Sequence, residues 1–161
     1  GASSKVNGLC LAKDHQHLDQ HIIINHLKEN CTSNQLFKYI LSDTSSGIFN
    51  GRVIVSEGAQ KTDAQQTTRN LLLSNSATAH SNPQLEIYAD DVKCSHGSTT
   101  GQLDENAIFY MRSRGIDARI AQLLLINGFA KEVIETIPNA NIGTYIDEKL
   151  NTWLEHIGVT L

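Results

Sequence analysis

Positive charge is in short supply: 13 Lys and Arg stand against 17 Asp and Glu, a formal net charge of −4. No basic face is therefore available to hold nucleic acid. Long apolar runs are missing as well. None approaches the roughly 20 residues that a membrane-spanning helix needs, and the opening GASSKVNGLCLAKDHQH lacks the basic-then-apolar layout of a secretory signal. Cysteine is scarce, with only Cys10, Cys31 and Cys94. An odd number at wide spacing argues against a disulfide framework and points to a reducing, cytoplasmic compartment. No Gly-x-x-x-x-Gly-Lys occurs, and INGFAKE (126–132) has the wrong spacing for a phosphate loop. No Gly-x-Ser-x-Gly nucleophile elbow is present either.

What remains is a 161-residue chain, long enough for one domain with a core or a domain plus a small appendage. It opens at high polarity, with neither a helix start nor a strand signal, as a piece of something longer would. Gly1 has the look of a vector scar. From residue 21 to about 100 short apolar runs recur roughly every 15 to 18 residues: HIII (21–24), LFKYIL (36–41), RVIV (52–55), NLLL (70–73) and LEIYA (85–89). Each is too short for a helix, rich in β-favouring residues and bounded by polar or small ones. Pro83 suits a strand start. Hairpins would need reversing turns, and only Asn50-Gly51 qualifies. The even spacing and the Gln/Thr/Asn-rich AQKTDAQQTTRN (59–70) favour a parallel β-helix over a sandwich or barrel. Its inward positions are expected to include Val53, Val55, Leu71, Leu73, Leu85 and Ile87.

After Gly101 the period becomes helical. Asp104 can cap a helix to about Arg114, with Leu103, Ile108 and Met111 on one side and Gly115 as its stop. Asp117 starts the next, carrying Ile120, Leu123 and Leu124, closed by Asn127-Gly128. A third, over about 130–137, ends at Pro138. The last, about 141–157, has Ile142, Tyr145, Ile146, Leu150, Trp153, Leu154 and Ile157 as an amphipathic stripe.

One stretch carries most of the chemistry. In LEIYADDVKCSHGSTTG (85–101), Cys94 and His96 sit two apart, so on a strand they project to one face. Thiolate with imidazole suits zinc, iron or the edge of an iron–sulfur cluster. Two ligands do not close a structural site, and no second Cys-x-x-Cys or His-x-x-x-His pair follows. Taken alone, the residues favour a buried Cys beside a hydrogen-bonded His over a metal site. His15, His17, His21 and His26 read as solvated or strand-exterior, His21 and His26 having opposite strand parity. A sugar-cleaving β-helix would need paired carboxylates and aromatic platforms. Aromatics make up only 6% of the chain, with one Trp, in the last helix.

Three runs, AQKTDAQQTTRNLLLS (59–74), PQLEIYADDVKCSHGSTTGQLDENAIFYMRSRGI (83–116) and LLINGFAKEVIE (124–135), together resemble the SufD branch of the SufB/SufD family of iron–sulfur cluster assembly subunits. The SufB branch usually carries a different His-containing element in place of Lys-Cys-Ser-His-Gly. The resemblance implies a mainly β fold with C-terminal helices: a right-handed parallel β-helix, its terminal coils over 1–101, and a small helical domain over 102–161. It implies a non-catalytic scaffold that pairs with SufB through the β-helix, with cluster assembly at that interface. His96 is the residue carried over, Cys94 lies beside it, and both are candidates for transient metal contact. The helical domain is implied to dock the SufC ATPase, through Arg112, Arg114, Gly115, Gly128 and Phe129. ATP then belongs to that partner, and this chain alone holds no stable cofactor. The N-terminal helical region and earlier coils of a full-length member are missing, and a homodimer is expected when the chain is isolated. Rival readings are a hydrolase or lyase using Asp90, Asp91 and His96, and a purely structural dimerisation module.

Overall fold

Alternation sets the architecture. In SGIFNGRVIV every second residue is buried, which on an extended backbone means one face turned inward. The computed structural model describes residues 1–159. It places seven strands first: β1 (Ser3–Ala12), β2 (His17–His26), β3 (Thr32–Leu41), β4 (Ser46–Val55), β5 (Asp63–Leu72), β6 (Thr78–Ile87) and β7 (Lys93–Gly101). Odd strands form one sheet, β1-β3-β5-β7, and even strands the other, β2-β4-β6. All pairings are parallel and in register, so Ser3 meets Thr32, which meets Asp63, which meets Lys93. The chain thus winds as a parallel β-helix of about three turns, with its core between the two sheets.

The corners repeat as faithfully as the strands. Asp14, Asp43, Asn30 and Lys61 hold φ of 54, 54, 56 and 61°. Each takes the left-handed conformation that lets a strand turn without a hairpin. Stacked corners are stitched together: Asp14 N–H donates to Asp43 Oδ2 at 3.0 Å and Asn30 N–H to the Gln60 carbonyl at 2.9 Å. Inside, Phe37 and Phe49 face each other across the sheets with ring centroids 4.8 Å apart. Gly8 is needed there, because a Cβ would lie 2.5 Å from the Phe37 ring.

Several expectations change. The polar opening is a strand: β1 starts at Ser3, and Cys10 and Ala12 are buried in the core. Its signal is hidden because Ser, Lys and Asn occupy the outward positions and Gly8 an inward one. Leu71 and Leu73 face out of the solenoid, against the helices, while Leu72 packs inward. Ile87 has inward parity through its pairing with Val55, yet is 41% exposed, since β6 ends its sheet. Pro83 lies mid-strand in β6 instead of at its entry. Thr78 and Tyr88 donate their N–H groups to β4-side carbonyls, so odd-numbered amides of β6 face the free edge, where proline forfeits nothing. His26 is buried, its ring 2.8 Å from Ser33 Oγ, and is neither solvated nor exterior.

The helices are α1 (Glu105–Ser113), α2 (Ala118–Ile134) and α3 (Ala140–His156), capped by Asp104, Asp117 and Asn139. Gly115 takes φ 86° just past α1, as a helix stop should. α2 runs through Asn127-Gly128 as one helix, where a break and a separate third helix were expected. A mid-helix glycine costs only about 1 kcal/mol. Ile126, Ala130 and Ile134 on either side are buried with Ile40 and Leu71 of the sheet and Leu150 and Leu154 of α3. Burial of about 1.5–3 kcal/mol per large apolar side chain outweighs that cost. Leu124 remains 51% exposed.

One charge fixes how α2 lies. Lys38, in the apolar run LFKYIL, points outward from β3 and its side chain is 1% exposed. Its Nζ donates to Glu132 Oε2 at 2.5 Å and to the Phe129 carbonyl at 2.7 Å, and sits 4.3 Å from the Phe129 ring centre. Arg69 Nη1 adds a bond to the same Glu132 oxygen at 2.7 Å. The hydrogen bond from Lys38 holds the Glu132 carboxyl below its usual range, partial burial opposes that, and Arg69 assists.

Two predictions arise from these buried charges. Glu132→Ala leaves the Lys38 ammonium without its anion and should cost about 3 kcal/mol, the low end for a broken buried pair because Glu132 is half exposed. Lys38→Met with Glu132→Gln should cost clearly less, and a double-mutant cycle by urea unfolding checks the coupling. Burial lowers the His26 pKa below its ordinary 6.5, so the fold favours the neutral ring. Its contribution is complete above pH 6.5 and is lost as pH falls below it. Urea midpoints should therefore drop between about pH 7.5 and about pH 5.5, and drop less in His26→Gln.

Candidate functional site

β7 closes the odd-numbered sheet, and its register decides what it presents. Ala64, Gln66, Thr68 and Asn70 of β5 are all buried inward, and they pair with Cys94, His96, Ser98 and Thr100. These four therefore carry inward parity on a strand with no coil above it. Cys94 is half-buried against the apolar cluster that includes Val53, Val55 and Ala64, whereas His96 is exposed at the open end. Lys93 N–H donates to the Thr62 carbonyl, so odd amides serve β5 and those of Cys94, His96, Ser98 and Thr100 face the free edge. β6 offers a second free edge beside it. Asn70 Nδ2 ties the two sheets here, reaching Thr100 Oγ1 at 2.9 Å and Ser81 Oγ at 3.3 Å.

The thiol is not set up as a nucleophile. Burial pushes the Cys94 pKa up and the charge of Asp63 adds to that, while a backbone hydrogen bond from Ala64 opposes them. Among the described residues no three His, Cys, Asp or Glu side chains converge on a metal position. Asp90 and Asp91 lie at the corner leading into β7, and Asp91 is ion-paired with Lys61. That gives Asp91 a place in the corner stack. His21 stands 3.2 Å from Asp19 on the outer face, and His15 and His17 bond Thr44 and Ser46 at 2.6 Å each. They are corner and surface groups that do not meet His96.

The residues expected to touch an ATPase are spread over α1 and α2. Arg112 and Arg114 are exposed, Arg114 stacking 4.7 Å from the Tyr110 ring centre. Gly115 is the exposed stop of α1 and Gly128 an exposed point within α2. Phe129 turns to the sheet under Lys38 and is committed to packing. Unforeseen in the sequence is that the same two helices expose large apolar side chains, Phe109 at 73% and Leu124 at 51%.

The inward column beneath His96 was also unforeseen. Val6, Gln35, Gln66 and His96 stack in register across the four strands of the odd-numbered sheet. Gln35 and Gln66 are 0% and 2% exposed, and neither amide has a hydrogen-bond partner. For Gln66 the only signal in the sequence was the parity of AQQTTRN once β5 is fixed.

The chain matches the family model described as "SUF system FeS cluster assembly, SufBD core domain" over residues 1–129. It is 45% identical over 133 residues to the iron-sulfur cluster assembly protein SufD of Escherichia coli K12, covering 83% of this chain and 31% of that protein. It is 43% identical to the chloroplastic protein ABCI7 of Arabidopsis thaliana, over 83% of this chain and 28% of the other. A SufBD family protein of Mycobacterium leprae is 36% identical across 97% of this chain and 41% of its own length. The chain thus spans less than half of these relatives.

Cysteine reactivity tests the geometry. Cys10 is buried, bonds Gln20 Oε1 at 3.2 Å, and burial pushes its pKa up to about 11. Under native conditions iodoacetamide should label Cys31 and Cys94 before Cys10, and Cys10 should react at a comparable rate only in denaturant. Early labelling of Cys10 in the folded protein would contradict the packing described.

Proposed function

The chain belongs to the SufBD family, and from that premise we propose that it is part of a non-catalytic scaffold for iron–sulfur cluster assembly, one wall of a site that a second chain completes. The observation that carries this reading is the open last coil. It offers an imidazole and a thiol, inward by register yet accessible, between two free strand edges. Two donors are too few to hold a metal, and unpaired edges are surfaces that another sheet can extend. A SufB-type β-helix meeting this end would add the missing donors. In the partner's absence a second copy of this chain is the natural substitute.

The iron and sulfide are cargo here, with His96 as the contact and Cys94 beside it. Outside the solenoid, α1 and α2 display Phe109, Leu124, Arg112 and Arg114, apolar and cationic groups suited to a SufC-type ATPase. Lys38 pins α2 to β3, so movement of the helices would be passed to the sheet instead of being absorbed in a loose joint. ATP belongs to that partner. The hydrolase or lyase reading has less support, because Asp91 pairs with Lys61 at the corner and, among the described residues, no cluster of three His, Cys, Asp or Glu side chains forms around His96.

The test is His96→Ala. An exposed ring contributes little to folding, so its stability should stay within about 0.5 kcal/mol of wild type. Assembly with both partner subunits should persist, while cluster maturation in cells should fail. Cys94→Ala serves as the control and should be tolerated if the thiol only packs. Normal maturation in a well-folded His96→Ala strain would sink the assignment.

A further inference from the structure

Side chains on the outer face of the even-numbered sheet bond in one direction. In-register stacking puts His21, Asn50 and Asn82 in one column, and stacked amides bond along such a column. Asn50 Nδ2 donates to Asp19 Oδ1 at 2.9 Å, and Asn82 Nδ2 donates to Asn50 Oδ1 at 3.0 Å. A carboxylate only accepts, so Asp19 fixes which way Asn50 points, and Asn50 in turn fixes Asn82. At β2 the ladder is closed, because it stops on Asp19, which also lies 3.2 Å from His21. At β6 it is open, and among the described residues no donor reaches Asn82 Oδ1.

Arg52 leans toward the same edge. Its Nε and Nη2 both go to Glu86 Oε1, at 2.7 and 2.5 Å, which leaves Glu86 Oε2 without a donor. Both open acceptors thus stand on β6, the last strand of its sheet. They share its outer face four residues apart, about 13 Å along the strand. Pro83 lies between them and has no N–H to offer the free edge. A strand laid on this edge loses a central backbone bond, so side chains weigh more in deciding which strand fits.

We propose that Asn82 and Glu86 select the strand that extends the even-numbered sheet: it carries a hydrogen-bond donor opposite Asn82 and a lysine or arginine opposite Glu86. This rests on a second β-helix meeting the open end, as proposed above. A donor opposite Asn82 lengthens a ladder whose amides are already aligned. A cation opposite Glu86 takes the oxygen that Arg52 leaves. A carboxylate or an aliphatic group at either place would strip water from an acceptor and give nothing back. A second copy offering its own β6 brings no lysine or arginine, since that strand has none. The edge therefore favours a partner of different sequence.

The experiment is calorimetric titration of the full-length protein with the SufB-type subunit of the same source. Glu86→Lys sets cation against cation and should raise Kd by about tenfold or more. Asn82→Ala should raise it about threefold. Asn82→Asp keeps an acceptor at the edge and should bind as wild type does. Asp19→Ala, at the closed end of the ladder, should stay within about twofold of wild type. Wild-type binding should weaken with added salt, and Glu86→Gln should flatten that dependence. The proposal is overturned if Glu86→Lys binds as tightly as wild type, or if Asn82→Asp weakens binding as much as Asn82→Ala. It is overturned equally if these substitutions weaken self-association of this chain and leave the mixed complex untouched. Should Glu86→Lys fail to fold, an unchanged salt dependence in Glu86→Gln overturns it. In each of these outcomes the wild-type complex still forms and the shared-site reading stands. If wild type does not bind that subunit, both fall.

Discussion

In-register parallel stacking means that each coil is sealed only by the coil laid on it. A side chain of inward parity is core in one turn and surface in the last, with no change in its own backbone. Val55 and Ile87 are the plainest pair: the same column and face, yet one is fully buried and the other 41% exposed. His96 and Gln66 stand in the same relation. The site does not need a specially built pocket, because ending the winding at β7 is enough to bring interior-facing groups to solvent. The free edges of β6 and β7 come with it, since the strand that would have used those amides is the one that is absent.

α2 and α3 pack on the outer face of the odd-numbered sheet. Their apolar contact, Ile40 and Leu71 with Ile126, Ala130, Leu150 and Leu154, is strong but would tolerate sliding, because hydrophobic burial is not directional. Lys38 supplies the direction. Its ammonium needs Glu132 and the Phe129 carbonyl at fixed positions on α2, and a misaligned helix would strand a charge in an apolar contact. Removing Lys38 should therefore loosen the helix register more than it lowers the amount of helix.

What the sequence made legible follows from which physical rule acts locally. Asp104, Asp117 and Asn139 each accept bonds from the first turn of a helix. Capping is decided within three residues, so at Asp104 and Asp117 the start was readable; the last helix was read only to within a residue. The run GRVIV alternates visibly because both its faces follow the rule for strands. Where the tertiary partner decides, the reading failed. Gly128 stays helical because residues around it are buried against a distant sheet. Leu71 faces helices that lie far on in the chain. β1 went unseen because its inward face includes Gly8, whose role is room for Phe37. Cys94 and His96 were picked out as a same-face pair, but their exposure depends on which coil is last, and only the stacked structure fixes that.

The interior also changes character along its axis. In one column Gly8 and Phe37 give way to Thr68 and Ser98; in another Cys10 and Tyr39 give way to Asn70 and Thr100; in a third Val6 gives way to Gln35, Gln66 and His96. Aromatic side chains pack near β3 and β4, and toward β7 the same columns carry polar groups. An apolar last coil would be well packed only while covered, and uncovered it would be an aggregation-prone edge. A polar last coil can face water before a partner arrives and can bond a partner afterwards. The same substitution of polar for apolar therefore keeps the open end soluble and furnishes the side chains a shared site would use.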